Sequence, residues 1–257
     1  MKFLSFINLY PLFFILLTSC TSDKEEKQLA DLPVHTIIFM DKTQSVNINK
    51  AFVAQKYQQV LSNIIEQNIH QKGDKLEVYF IHENTSKAKA LLVMCRTEKE
   101  NTDAMSLTDK EGAQTNFDLM LNREKMMILR QVQSKMAMQN IGVSQRFTDI
   151  WGSFGIISKA AESGEEVKVY FLSDMIESMR GSGRRDFHTN PPRNNVEAEN
   201  WAKTDAQNLK KYSLGNADVK LALPFDPTSS TRENNPTITA YWTTLFQELG
   251  ALGVEEI

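Results

Sequence analysis

The sequence predicts an α/β fold of Rossmann-like, three-layer form, a central and mostly parallel sheet with helices on both faces. Three observations predict it. Two strongly apolar runs, 36–40 (TIIFM) and 167–173 (VKVYFLS), each end at a carboxylate, Asp41 and Asp174. Segments with helical spacing lie between the apolar runs. A pair of closely spaced runs, 75–82 and 88–95, reads as one hairpin. Charge-poor runs of this length suit strands buried on both faces. Strands alternating with helices imply a parallel sheet with right-handed crossovers, and the hairpin adds one antiparallel edge strand.

Taken in order, the chain opens with Lys2 and an apolar stretch over 3–17, interrupted by Asn8 and Pro11. It is short for a membrane span and reads as a signal peptide over 1–19. Leu17-Thr18-Ser19-Cys20 resembles a bacterial lipobox, which implies lipidation at Cys20 and a place in the bacterial envelope, on the outer membrane. The alternative is an ordinary secretory signal with an incidental Cys. Residues 20–33 are polar, charged and free of aromatics, so they read as a tether. Lys24-Glu25-Glu26 is similar to the acidic export signal of Bacteroidetes lipoproteins, or is simply a solvated stretch.

The domain is expected over 34–257. Apolar residues at Phe52, Val53, Val60, Leu61, Ile64 and Ile65 give the first helix. Residues 97–114 are polar and read as loop. A long helix follows over 117–139, with Leu119, Met120, Met126, Met127, Leu129, Val132 and Met136 expected in an irregular core. Together 97–146 form an insertion. Thr148 opens another helix that runs to about Ala161. The Gly, Arg, Asn and Pro content of 180–195 predicts an exposed loop. A helix over 196–212, a last strand over 219–223 and a closing helix over 237–252 complete the domain.

Charge and cysteines exclude several function classes. The net charge is −3, which gives no case for nucleic acid. Of the two cysteines, Cys95 has no partner once Cys20 is lipidated, so it reads as a small buried hydrophobe.

The candidate site lies at the strand ends. Asp41-Lys42-Thr43-Gln44-Ser45 presents a carboxylate and two hydroxyls at alternate positions. In open α/β sheets ligands bind outside the carboxyl ends of the strands, and this all-oxygen set suits Mg²⁺, Mn²⁺ or Ca²⁺. Each residue alone is better explained by helix capping or a turn than by coordination. In order and setting, Asp41, Thr43, Ser45, Thr148 and Asp174 resemble the von Willebrand factor A domain with its metal-ion-dependent adhesion site. The resemblance covers about 34–252. It implies that Thr43 and Ser45 bind the ion through hydroxyls and that Thr148 does so directly or through water. Asp41 and Asp174 would hold coordinated water and supply charge, and a protein partner's acidic residue would complete the shell. Two departures stand out. Met175 follows the final Asp where that family usually has Gly, and Thr115 within 112–116 competes with Thr148 for the middle motif.

Enzyme readings fare worse. Asp41-Lys42-Thr43 resembles the start of the aspartyl-phosphate phosphatase motif, but Thr43 replaces the general-acid Asp. Residues 152–155 miss the nucleophile-elbow spacing, and no P-loop or zinc spacing occurs. The chain is therefore read as a non-enzymatic adhesion or interaction protein. A scaffold with a degenerate metal site is the alternative, and a metal-dependent hydrolase stands behind both. The Arg180 to Arg185 loop is expected on the metal face, either touching an acidic partner or solvated.

Overall fold

The computed structural model describes residues 32–138, 144, 146–215 and 217–257. The expected signal peptide, Cys20 and nearly all of the tether lie outside the described residues. The chain divides into two units, Met1–Leu32 and Pro33–Ile257. No helix among the described residues is long and apolar enough to cross a membrane.

Strand β1 (Val34–Asp41) is buried at every position, as its unbroken apolar run requires. Helix α1 (Ala51–Asn68) follows, then β2 (Lys75–Ile81) and β3 (Lys89–Met94). Helix α2 (Leu107–Ala137) leads to a 3₁₀ turn at Trp151–Ser153 and the short α3 (Phe154–Ala161). The chain ends with β4 (Glu166–Leu172), α4 (Asn195–Leu209), β5 (Asp218–Ala222), α5 (Pro236–Glu248) and β6 (Gly253–Glu256). The described strands form one six-stranded sheet in the order β3-β2-β1-β4-β5-β6. All neighbours are parallel except the β2–β3 hairpin.

Strand alternation divides the core into two layers. Ile38 and Met40 of β1, with Tyr170 and Leu172 of β4, face α1 and α2. Ile37 and Phe39, with Val169 and Phe171, face α3, α4 and α5. The result is a mixed α/β, Rossmann-like sandwich. The strand order reverses at β1: β2 and β3 are added on one side of it and β4, β5 and β6 on the other. That strand-order switch places a crevice between the carboxyl ends of β1 and β4.

Four local expectations are corrected. Residues 107–114 are helical rather than loop, because Ser106 caps α2 by accepting the Asp109 N–H. Thr148 does not open a helix; it precedes the 3₁₀ turn in irregular backbone. The strand over 219–223 is not the last, since β6 pairs beyond it. Leu119, Met120, Met126 and Met127 are not core residues but stand 50–56% exposed. The buried side of α2 is Leu121, Lys125, Ile128, Val132 and Met136.

Candidate metal centre

Asp41 is the last residue of β1, and its carboxylate organises the loop that follows. Its Oδ1 accepts from the Thr43 backbone N–H at 2.8 Å and from the Thr43 hydroxyl at 2.6 Å. The Thr43 and Ser45 hydroxyls lie 3.0 Å apart. These residues do not cap α1: its N-cap is Lys50, which makes no side-chain capping bond. The capping explanation of the motif therefore fails on geometry.

From β4, Ser173 donates to Asp41 Oδ2 at 2.6 Å and accepts the Met175 N–H at 3.0 Å. Asp174 Oδ1 accepts the Ile176 N–H at 3.0 Å, and the Ser45 hydroxyl also bonds its carboxylate. Met175 has φ +60°, in the left-handed region where Gly is the usual occupant. That left-handed position is thus occupied here by a Met. It is buried in the core, and its carbonyl accepts from Trp242 Nε1 at 2.6 Å.

Two carboxylates are therefore buried beside each other, Asp41 at 3% and Asp174 at 5% exposure. Burial, reinforced by the Asp174 charge, pushes the Asp41 carboxyl up to about 7 despite the donors from Ser173 and Thr43. Burial also raises the Asp174 carboxyl, opposed by the Ser45 and Ile176 bonds. Neither carboxylate forms an ion pair among the described residues. The adjacent cation, Lys42, turns away to the carbonyls of Met136 and Met138 and over the Phe80 ring. Burial pushes Lys42 down to about 8.

Thr148 is buried and reaches the same edge of the sheet by a different route. Its backbone N–H donates to Ser178 Oγ at 2.8 Å, and its carbonyl accepts the Ser178 N–H at 3.1 Å. The next N–H, of Asp149, donates to the His82 carbonyl at the end of β2. Thr115 cannot play this part. It sits mid-helix on an exposed face of α2, with its hydroxyl bonded to the Glu111 carbonyl. The structure thus joins Asp41, Thr43, Ser45 and Asp174 by hydrogen bonds and electrostatics, while Thr148 is held at the same end of the sheet through Ser178 and the Asp149–His82 bond.

Two residues of this region carry no sequence signal. Ser173 reads as one more strand residue until its bond to Asp41 is seen. Tyr57 of α1 is 2% exposed, and its hydroxyl has no hydrogen-bond partner among the described residues. Burial and the charges of Asp41 and Asp174 hold that hydroxyl well above its ordinary range.

The donor set fits a hard divalent ion: two carboxylates and three hydroxyls, with no nitrogen or sulfur. No group of three or more His, Cys, Asp or Glu among the described residues can hold a metal, so such a site depends on the hydroxyls. A separate cavity of about 750 Å³ opens over β1–β3, lined by His35, Glu77, Tyr79, Trp151, Lys159 and Tyr212 among others. Asp41 and Asp174 do not line it.

The expected basic loop is mostly committed within the protein. Arg184 pairs with Asp149 at 2.6 Å and with Glu177, while Arg185 grips Asp205 at 2.7 and 2.9 Å. Arg180 lies over the Phe147 ring. Cys95 is free and buried, and burial with the Glu124 carboxylate pushes its thiol up to about 12, as an inert packing residue requires.

No family model matches the chain, and no curated protein matches it. Among solved structures it is similar to the human COPII-coat protein Sec24c, at 12% identity and a TM-score of 0.43. That match covers 88% of this chain and 29% of the other. The PilB minor pilin of Streptococcus sanguinis is similar at 12% identity and a TM-score of 0.41, over 88% and 57% of the two chains. The chain thus spans well under two thirds of either protein.

Proposed function

We propose that this chain is a von Willebrand A-like interaction protein, anchored to the bacterial envelope through Cys20, that engages an acidic residue of a partner protein through a divalent ion. One observation carries the reading. Asp41 and Asp174 are buried together with converging hydroxyls and without an ion pair among the described residues. Buried charges in proteins are paired or coordinate metals, because an unpaired one is strongly destabilising. Thr43, Ser45 and Thr148 would hold the ion with neutral oxygens, and Asp41 and Asp174 would orient its waters. When bound, the ion would supply an open, electrophilic position for a carboxylate. Mg²⁺ suits few protein ligands and several waters, and Mn²⁺ or Ca²⁺ are the other candidates.

A second reading is favoured by a specific feature. Both oxygens of Asp41 already accept hydrogen bonds, from Thr43 and from Ser173. Those donors satisfy the carboxylate within the chain without an ion, and the chain would then be a metal-free interaction scaffold.

Thermal unfolding in the presence of Mg²⁺, Mn²⁺ or Ca²⁺, beside Asp41→Ala and Thr148→Ala, separates the two. Free ion at 100 times its dissociation constant should add about 2.7 kcal/mol of stability. A saturable shift lost in both variants supports the metal reading. Absence of any shift, also with acetate or an acidic peptide added to complete the shell, leaves the scaffold.

A further inference from the structure

Helix α1 buries the side that carries Val53, Tyr57, Leu61, Ile64 and Ile65. Tyr57 stands one turn from Val53 and one turn from Leu61, in a stripe that packing alone fills with hydrocarbon. It belongs to the layer that holds Met40, Val46 and Leu172. Those three flank the candidate metal centre: Met40 precedes Asp41, Val46 follows Ser45, and Leu172 lies two residues before Asp174. A Phe would fill the same space, so packing does not explain the hydroxyl.

A second buried phenol in that layer shows what such a hydroxyl normally has. Tyr170 of β4 is 3% exposed, and its hydroxyl accepts from Asn68 Nδ2 at 3.0 Å. Buried Tyr hydroxyls usually find a partner of this kind. The Tyr57 hydroxyl has none among the described residues, although the charges of Asp41 and Asp174 reach it. Both carboxylates serve other donors, Asp41 those of Thr43 and Ser173, Asp174 those of Ile176 and Ser45. What satisfies Tyr57 is thus a small polar group that the described residues do not supply.

We infer, on the metal reading of the site, that Tyr57 is a positioning residue of the metal centre: its hydroxyl oxygen accepts a hydrogen bond from a water that the ion holds. Burial and the two carboxylates keep the phenol protonated, so that oxygen is a neutral acceptor. An ion with few protein ligands and several waters needs those waters oriented, and a neutral acceptor does so without adding charge. The open position stays electrophilic, as engagement of a partner carboxylate requires. Tyr57 also ties the ion's shell to α1, an element that supplies none of Asp41, Thr43, Ser45, Thr148 and Asp174.

The test titrates the full chain with Mg²⁺ and with Mn²⁺ by calorimetry, beside Tyr57→Phe and Tyr170→Phe. Each variant keeps the ring and removes one hydroxyl. In chelator, Tyr57→Phe should keep or raise the parent unfolding midpoint, since the hydroxyl it loses has no partner. Tyr170→Phe should lower that midpoint, because it strands the Asn68 amide. For the ion the order reverses. Tyr57→Phe should weaken binding at least about tenfold, the usual loss on removing a group that orients a metal's ligands. Tyr170→Phe should bind like the parent. Equal affinity of Tyr57→Phe and the parent overturns the inference and leaves the metal centre standing. A fall of the Tyr57→Phe midpoint in chelator also overturns it, because the hydroxyl then has a partner without the ion. Equal losses of affinity in the two variants overturn it as well, since they trace to a loosened core. Absence of ion binding by the parent, with acetate present, overturns the metal reading itself and this inference with it.

Discussion

Ser173 Oγ lies 2.6 Å from Asp41 Oδ2, a hydrogen bond that ties the end of β4 to the end of β1 across the crevice of the sheet. The Ser173 side chain is fully buried and also fixes the Met175 N–H, so one hydroxyl holds both the first carboxylate and the turn after the second. Ser173→Ala should destabilise the protein by about 1.5–3 kcal/mol, the range for losing a hydrogen bond to a charged, buried acceptor. Denaturant unfolding in chelator checks this. The loss should shrink in acid, where Asp41 is protonated and demands less of its donors.

The Asp41 carboxyl gives a pH signature with a definite sign. Its folded value is raised to about 7 from the ordinary 3.8, so the fold prefers the protonated form. The stability it contributes is complete below about pH 4 and is lost as the pH rises through about 7, a change on the order of 4 kcal/mol. Asp41→Asn stays neutral throughout. In chelator at about pH 8 the variant should therefore unfold at a higher temperature than the parent, with the gap closing toward about pH 5. A variant less stable than the parent at both values would mean that Asp41 is charge-compensated in the fold. Saturating divalent ion should invert the order, because only the parent can bind it.

Much of this was legible in the sequence because burial writes itself into composition. The run at 36–40 predicts a strand buried on both faces, and β1 is buried throughout. The carboxylates at the ends of β1 and β4 were visible because parallel strands bring their carboxyl ends together. What escaped detection had no apolar period to read. The first two turns of α2, over 107–114, bury no residue, so their polar sequence resembled a loop. β6 is short and half-exposed, with Gly and two Glu among its four residues. The Met-rich face was read as core because residue type alone does not say on which side of a helix the domain lies. Ser173 and Tyr57 needed three-dimensional neighbours before either could be assigned a part.

Gly152 is required by close approach. A Cβ there would stand 2.6 Å from Asp149 Oδ2 and 3.2 Å from the Ser86 backbone nitrogen. The glycine N–H also donates to Asp149 Oδ1 at 2.9 Å. Gly152→Ala should push the Asp149 carboxylate away from Arg184 and destabilise by about 1–3 kcal/mol. Calorimetric unfolding of the variant measures it, and a neutral result would show that Asp149 can move without cost.

Arg184 should matter more than its partly exposed position suggests. It contacts Asp149 and Glu177, and Glu177 is fully buried with its carboxyl pushed up to about 7 by burial even beside this guanidinium. Glu177 in turn accepts the Ile150 and Trp151 N–H groups, while its neighbour Ser178 holds both backbone groups of Thr148. Removing the cation leaves a buried carboxylate uncompensated, which typically costs about 3–5 kcal/mol. Arg184→Met should show that loss, and adding Glu177→Gln should restore a large part of it, since the neutral amide removes the stranded charge. If divalent ion stabilises the parent, Arg184→Met should also weaken the ion's effect, because the segment carrying Thr148 is positioned through Glu177 and Ser178. Full retention of ion binding in a destabilised Arg184→Met would separate the Arg184 network from the site and confine it to the packing of the loop.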